Sequence, residues 1–524
     1  MTEPRTRILV LGIDSAEPRL VHEMAGAGRL PHVASLLKGG LTGAVQNPRG
    51  FESGTVWQSF HTGKEPGGHP MYDGLRYFNP QTYGFSFLEQ SEVGADLIWE
   101  HLSKHGKRCA VIDAPYCQIG QTINGILVAD YAVHDAALGD NVITFATDPA
   151  PLAQELLDLV GPDPTGGIQS DIPLVETLQD HIDFRDKYFA RVEKKGRLIN
   201  HILQKEPWDY VEAVFTEPHS VGHRLWHVAN PDHDQYQRHL HEALGDPIRD
   251  LYELTDKAIG EVLAQLDDRT LVIFYISHGM ENHYTGVGLL DEALVQLERG
   301  VPATGDRSLK EKLRGAWRSI PSETRGRLRP FKKFFHGALS PREQDFAGNR
   351  RDRRFFEVYA NYRTGGVRIN LQGREANGLV APEDYDALLT ELTTDLLALK
   401  NADTGDNLVE EVLRPRDLYD GAYVDYLPDL LVSFDRRAPI NRISSDKIGL
   451  IERAFPPARS GDHSRYGLFA ATGAGIPPRK LNATVNAVDF FPTVCQALGV
   501  AAPGFPGKPI EHLPAAARML EDAR

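Results

Sequence analysis

The chain has 524 residues, 41% hydrophobic and 25% charged, which is ordinary globular composition with enough apolar side chains for a large core. Lys plus Arg number 57 against 72 Asp plus Glu, a net charge of -15 that argues against a general binder of nucleic acid or of anionic membrane surfaces. Cys109, Cys117 and Cys495 are too few and too scattered for a disulfide framework or a CxxC metal knuckle, and no apolar run approaches the ~20 residues of a bilayer span. With no apolar leader behind the polar Met1 to Arg7, a reducing, cytoplasmic location is expected.

Arg7 to Ile13 (RILVLGI) is a short continuous apolar run of the kind buried on both faces of a parallel sheet, and Asp14 follows it directly. That carboxylate is either a metal-ligand candidate or the N-cap of a helix beginning near Pro18, and the residues alone leave both open. Asn47 to His69 is a Gly- and Pro-rich loop around a short helical centre. Ser53 or Thr55 there either caps the helix that carries Trp57 and Phe60 or presents a hydroxyl beside backbone N–H groups that favour an anion.

Arg108 to Ala114 and Thr122 to Ala129 read as two more strands, and Val175 to Gln204 as an amphipathic helix. Trp208 to Thr216 is a strand-length run of β-branched and aromatic residues, followed at once by Glu217-Pro218-His219-Ser220-Val221-Gly222-His223. A carboxylate and two imidazoles then emerge at a strand's carboxyl end, where open α/β sheets bind ligands. Asp246 to Leu266 has helical spacing, and Thr270 to Ile276 is a further buried strand leading into Ser277-His278-Gly279-Met280-Glu281-Asn282-His283. Three strands thus deliver Asp14, the 217–223 cluster, and His278 with His283 to one edge of one sheet.

Between Arg299 and Arg354 the chain turns strongly basic, with Lys310, Arg314, Arg325, Lys332, Arg350 and Arg353 among its cations. This is expected to be an insertion, read either as a solvated helical excursion or as a lid that attracts an anionic substrate. Strand-like pieces return at Gly366 to Leu371 and Leu430 to Phe434, with a helix between Pro382 and Leu399. Ser460 to Phe469 sets His463 in a Gly-containing loop before another strand, and Asn486 to Leu498 is a closing amphipathic helix.

The order of these motifs resembles the alkaline phosphatase superfamily, in its type I phosphodiesterase and nucleotide pyrophosphatase branch. The resemblance rests on LVLGIDS (Leu9 to Ser15), the loop ending in Phe60 to His69, Ile123-Asn124-Gly125, Gly222 to His227, Ser277 to Met280, Gly461-Asp462-His463, and Asp489-Phe490-Phe491-Pro492-Thr493. It implies a doubly wound, mostly parallel α/β sheet flanked by helices, formed by 1–290 and 360–524, with 291–359 as the basic insertion or cap. It also implies a hydrolase of phosphodiesters or related phosphate or sulfate esters, using one or two divalent metal ions, usually zinc, with iron and manganese as alternatives. The substrate would be a small anionic ester, with no nucleic-acid or membrane partner.

Carried over by position, Asp14, His278 and the nucleophile would bind one metal, and His223 and His463 the other. The nucleophile would be Ser53, four residues before Trp57, with Thr55 in reserve. The chain departs from the usual pattern at three places: His219 and Ser277 stand where the family has aspartates, and Pro70 follows His69 where the family has Gly. Glu217, His219 and His283 are candidate replacement ligands, within an E-x-H-x-x-G-H and SHGM-x-x-H-Y pattern. A phosphoryl transferase on the same fold and a non-catalytic binding protein are the two other readings.

Overall fold

Runs of branched and aromatic residues, too apolar to face water on either side, build the centre of the molecule. In the computed structural model the described residues are 8–72, 76–87, 95–129, 146–165, 177–267, 269–300, 350–453, 459–473, 475–502 and 504–513. The main sheet contains β1 (Ile8–Ile13), β2 (Leu41–Gln46), β3 (Cys109–Ile112), β4 (Gly125–Ala129), β5 (Ala146–Asp148), β6 (Tyr210–Phe215), β7 (Leu271–Ile276), β8 (Tyr466–Thr472), β9 (Arg479–Lys480) and β10 (Val485–Asn486). Its order is β9-β2-β8-β7-β1-β6-β3-β4-β5, with β10 also on β2. The stretch β7-β1-β6-β3-β4 is parallel throughout. Antiparallel β8 joins it to β2, and antiparallel β5 closes the far edge.

Alternation along β1 sends side chains into two separate cores, as the sheet's two-residue period requires. Leu9, Leu11 and Ile13 pack on one face with α3 (Leu178–Lys205) and α5 (Pro247–Leu263); Ile8 and Val10 pack on the other with Trp57, Phe60 and Phe490. These helices, together with α1 (Pro18–Gly26), α2 (Val56–Thr62) and α4 (Glu217–Leu225), make the doubly wound arrangement expected from the sequence. A second, antiparallel sheet runs Phe355–Val358, Thr364–Ile369, Leu430–Phe434 and Val409–Leu413, with its own core against the helix Tyr385–Leu397. Most of the basic stretch at 291–359 lies outside the described residues. Its described ends are the helix Leu290–Arg299, residues 350–354, and the strand Phe355–Val358, antiparallel to Thr364–Ile369.

Behind α4 lies a group of buried charges. Lys195, on α3, reaches the Glu217 carboxylate at 2.9 Å and Asp113 at 3.4 Å, and hydrogen-bonds the Val214 carbonyl and the Thr216 hydroxyl. Arg191 adds a second cation, 3.1 Å from Asp163 and 3.8 Å from Glu217. Burial pushes the Asp113 carboxyl up, and Lys195 and Arg191 oppose it. Charges withdrawn from water this completely hold only while they are paired. Lys195→Met removes the nearest cation from Glu217 and is expected to cost roughly 3–5 kcal/mol. The check is the urea midpoint; a midpoint equal to the parent's would contradict the pairing.

Candidate active site

The ends of β1, β6 and β7 lie level, because Ile13 pairs with both Phe215 and Ile276. The backbone carries this one step further, Asp14 N–H donating to Phe215 O and Ser277 N–H to Ile13 O. The helix α1 begins only at Pro18 and is capped by the Glu17 side chain, which leaves Asp14 for other work. The fully buried Asp14 carboxylate accepts at Oδ1 from Trp57 Nε1 at 3.0 Å and from Ser277 Oγ at 2.8 Å, and at Oδ2 lies 2.9 Å from His219 Nδ1. Ser15, held at φ +60° in the left-handed region that non-glycine residues seldom enter, sets its hydroxyl 2.8 Å from His278 Nδ1 and 3.3 Å from His219 Nδ1.

Pro218 opens α4 in the first turn, where its missing N–H costs nothing, and the helix presents His219 and His223 one turn apart. Their rings meet edge to face at 4.4 Å, with the two Nε2 atoms 2.9 Å apart. A short strand, Gly461–His463, pairs with Met280–Asn282 and lies across this helix. A side chain at Gly461 would run into the Gly222 carbonyl, so the close approach needs glycine there. The reward is direct: His223 Nδ1–H donates to Gly461 O at 2.8 Å. His463 then stacks 3.8 Å from His278 and lies 4.8 Å from His219 and 4.7 Å from His223.

Ser53 Oγ sits 2.6 Å from His463 Nδ1, while His463 Nε2 is buried without a hydrogen-bond partner. Thr55 is buried and donates its hydroxyl to Phe51 O at 3.0 Å. Of the remaining sequence candidates, Glu217 is turned to Lys195, and His283 lies 3.5 Å from Asp462 with its ring against Tyr362. The structure therefore brings together Asp14, Ser53, His219, His223, His278 and His463, and directs Glu217 and His283 to other partners.

Several contacts of the cluster were not expected from sequence. Trp57 and Ser277 hold Asp14, and Ser15 bridges two imidazoles. Arg459 stacks on Tyr362 and places Nη1 3.1 Å from His223 Nε2, while Arg436 pairs with Asp462 at 3.0 Å. Trp57, at its fixed distance from Ser53, and Ser277, standing where the family has an aspartate, had a local signal.

Among the described residues, His219, His223 and His463 form a group whose donor atoms all lie within 4.8 Å of one another, a set of imidazole nitrogens suited to a divalent metal. Burial first, then Arg459 and His219, holds His223 well below the ordinary 6.5. Burial, then His278 and His223, does the same for His463. Asp462 is held low in spite of its burial, by Arg436 and His283.

The sequence matches the family described as Type I phosphodiesterase / nucleotide pyrophosphatase over residues 8–449. The chain belongs to that family. It is accordingly a hydrolase of the phosphodiesterase and pyrophosphatase class, within the alkaline phosphatase superfamily. Among solved structures, murine ectonucleotide pyrophosphatase/phosphodiesterase 5, an inactive variant in complex with AMP, is 12% identical with a TM-score of 0.50, covering 96% of this chain and 97% of its own. Phosphonoacetate hydrolase from Sinorhizobium meliloti 1021, in complex with phosphonoformate, is 13% identical with a TM-score of 0.50 over 94% and 96%. The human ectonucleotide pyrophosphatase/phosphodiesterase 5 is 13% identical with a TM-score of 0.49 over 96% and 97%. At these identities the likeness is one of fold. The comparison with curated proteins found no match. No helix among the described residues is long and apolar enough to cross a membrane.

Burial keeps His223 and His463 from taking up a proton in the ordinary histidine range. NMR of the histidine rings in the metal-free protein should therefore find both neutral from about pH 8 to about pH 6. A protonation step of either ring centred on the ordinary histidine value would contradict it.

Proposed function

We propose that this chain hydrolyses a phosphodiester or a related small phosphate or sulfate ester through Ser53, at a divalent cation held by the imidazole cluster. The observation that carries the reading is the placement of the Ser53 hydroxyl on His463, inside the group of histidines, while the Thr55 hydroxyl is spent on a backbone carbonyl. Family membership supplies the reaction class. A murine protein of the same fold was solved with AMP, a small phosphate ester, in keeping with a substrate of that kind.

The donor chemistry fits a metal such as zinc, with iron or manganese as alternatives: buried imidazoles, one of them with an orphaned nitrogen, and the Asp14 carboxylate against His219. His219, His223 and His463 would hold it, with Asp14, His278 and Ser53 adjacent. When bound, a divalent ion there would supply positive charge that steadies charge on the phosphoryl oxygens. Ser53 Oγ, oriented by His463 Nδ1, forms a bond to phosphorus as the bond from phosphorus to the ester oxygen breaks, and its proton leaves with that oxygen. Water then cleaves the serine ester, regenerating the hydroxyl and releasing the second product. Three buried cysteines, none in a disulfide, suit a reducing compartment, and the reading puts the protein in the cytoplasm.

Hydrolysis of an aryl phosphodiester tests the assignment. Ser53→Ala is expected to lose at least ~10³-fold in kcat/KM, and Thr55→Val to lose far less. Full activity in Ser53→Ala would overturn the nucleophile.

A further inference from the structure

We infer that the centre takes one divalent ion per chain, on the Nε2 atoms of His219, His223 and His463, and that Asp14 is the acceptor that orients His219 and not a metal ligand. The inference rests on the proposed metal-assisted reading of the same site and sets its count and donor atoms.

Each of the three rings has its Nδ1 engaged by a different partner. For His223 the partner is the Gly461 carbonyl, which can only accept, so Nδ1 carries the hydrogen and a neutral ring keeps its lone pair on Nε2. For His219 the partner is the Asp14 carboxylate at 2.9 Å, with the same consequence. For His463 the partner is the Ser53 hydroxyl at 2.6 Å, which can accept from Nδ1–H, and Nε2 is left buried and unpartnered.

Two of these Nε2 atoms lie 2.9 Å apart; with both rings protonated at Nδ1 neither has a hydrogen to give the other, an arrangement that a shared cation relieves. Imidazole nitrogens on one zinc sit about 2.0–2.1 Å from it, so such ligands necessarily crowd together. Arg459 Nη1, 3.1 Å from His223 Nε2, donates to that ring's lone pair, and an ion bound there takes its place. Three imidazoles leave a fourth position open for a substrate oxygen, the pattern of a catalytic and not a structural zinc site.

Asp14 is placed to serve from behind. Both lone-pair directions of Oδ1 are taken by Trp57 and Ser277, and Oδ2 faces His219 Nδ1. A carboxylate that accepts from the far nitrogen of a metal-bound histidine fixes its tautomer and its aim. Charge balance points the same way. Among the described residues Asp462 is tied to Arg436 and Glu217 to Lys195, Asp14 is the carboxylate within hydrogen-bond distance of the cluster, and Arg459 adds a positive charge beside His223. Against one carboxylate a second dication would leave a large uncompensated charge in a buried pocket.

The test is the metal content of protein loaded with Zn²⁺ or Co²⁺ and desalted, read by mass spectrometry of the metal and by the visible absorption of the Co²⁺ form. One ion per chain is expected. His463→Ala should abolish binding, and His278→Gln should keep one ion. Asp14→Asn should also keep one, bound about 10–100-fold more weakly. Two ions or none in the parent would overturn the inference, as would a lower count in His278→Gln or Asp14→Asn, or an unchanged affinity in Asp14→Asn. No substrate enters this measurement, so a protein inert toward phosphodiesters can still satisfy it. An active enzyme with two ions would keep the proposed function and sink the inference.

Discussion

Parallel pairing of β1 on both sides is the constraint from which the site follows. Ile8 to Ile13 match Tyr210 to Phe215 on one flank and Leu271 to Ile276 on the other, residue for residue. Three strands held in that register must stop at the same level, and whatever follows them is delivered to one place. A slip of one residue would exchange the two faces of the strand and bury the wrong side chains, so the hydrophobic cores on both faces also lock the register of the site.

Within that frame the polar groups are sorted by charge. Buried imidazoles gather around Asp14, and burial holds His223 and His463 neutral, while other acids nearby are matched with cations: Asp462 with Arg436, Glu217 with Lys195. The sorting leaves His463 Nε2 buried without a hydrogen-bond partner at the centre. It also leaves the Ser53 hydroxyl beside that ring and half-buried, reachable by a small ester.

Much of this was legible from the chain. The strands at Ile8, Cys109, Tyr210 and Leu271 were readable because each is a short apolar run, and the ligand-type residues stand directly behind three of them. The spacing of His219 and His223 is that of one helical turn, which puts both on one face. The same periodicity explains Glu217. Positions two apart on a helix do not face each other, so the carboxylate adjacent in sequence points toward α3 instead of the imidazoles.

The remainder depended on tertiary contacts with no local pattern. Nothing around Arg459, Ser15 or Ser277 announces a partner more than 200 residues away, and the Gly222–Gly461 approach that seats His463 is visible only once the two segments cross. His283 is similar: its pairing with Asp462 follows from the short antiparallel pair Met280–Asn282 and Gly461–His463. The most direct measurement of the account is the stereochemical course at phosphorus, followed with a P-chiral phosphorothioate diester cleaved in isotopically labelled water. Two successive in-line displacements through Ser53 predict net retention; inversion would mean that water attacks the ester directly and that no serine intermediate forms.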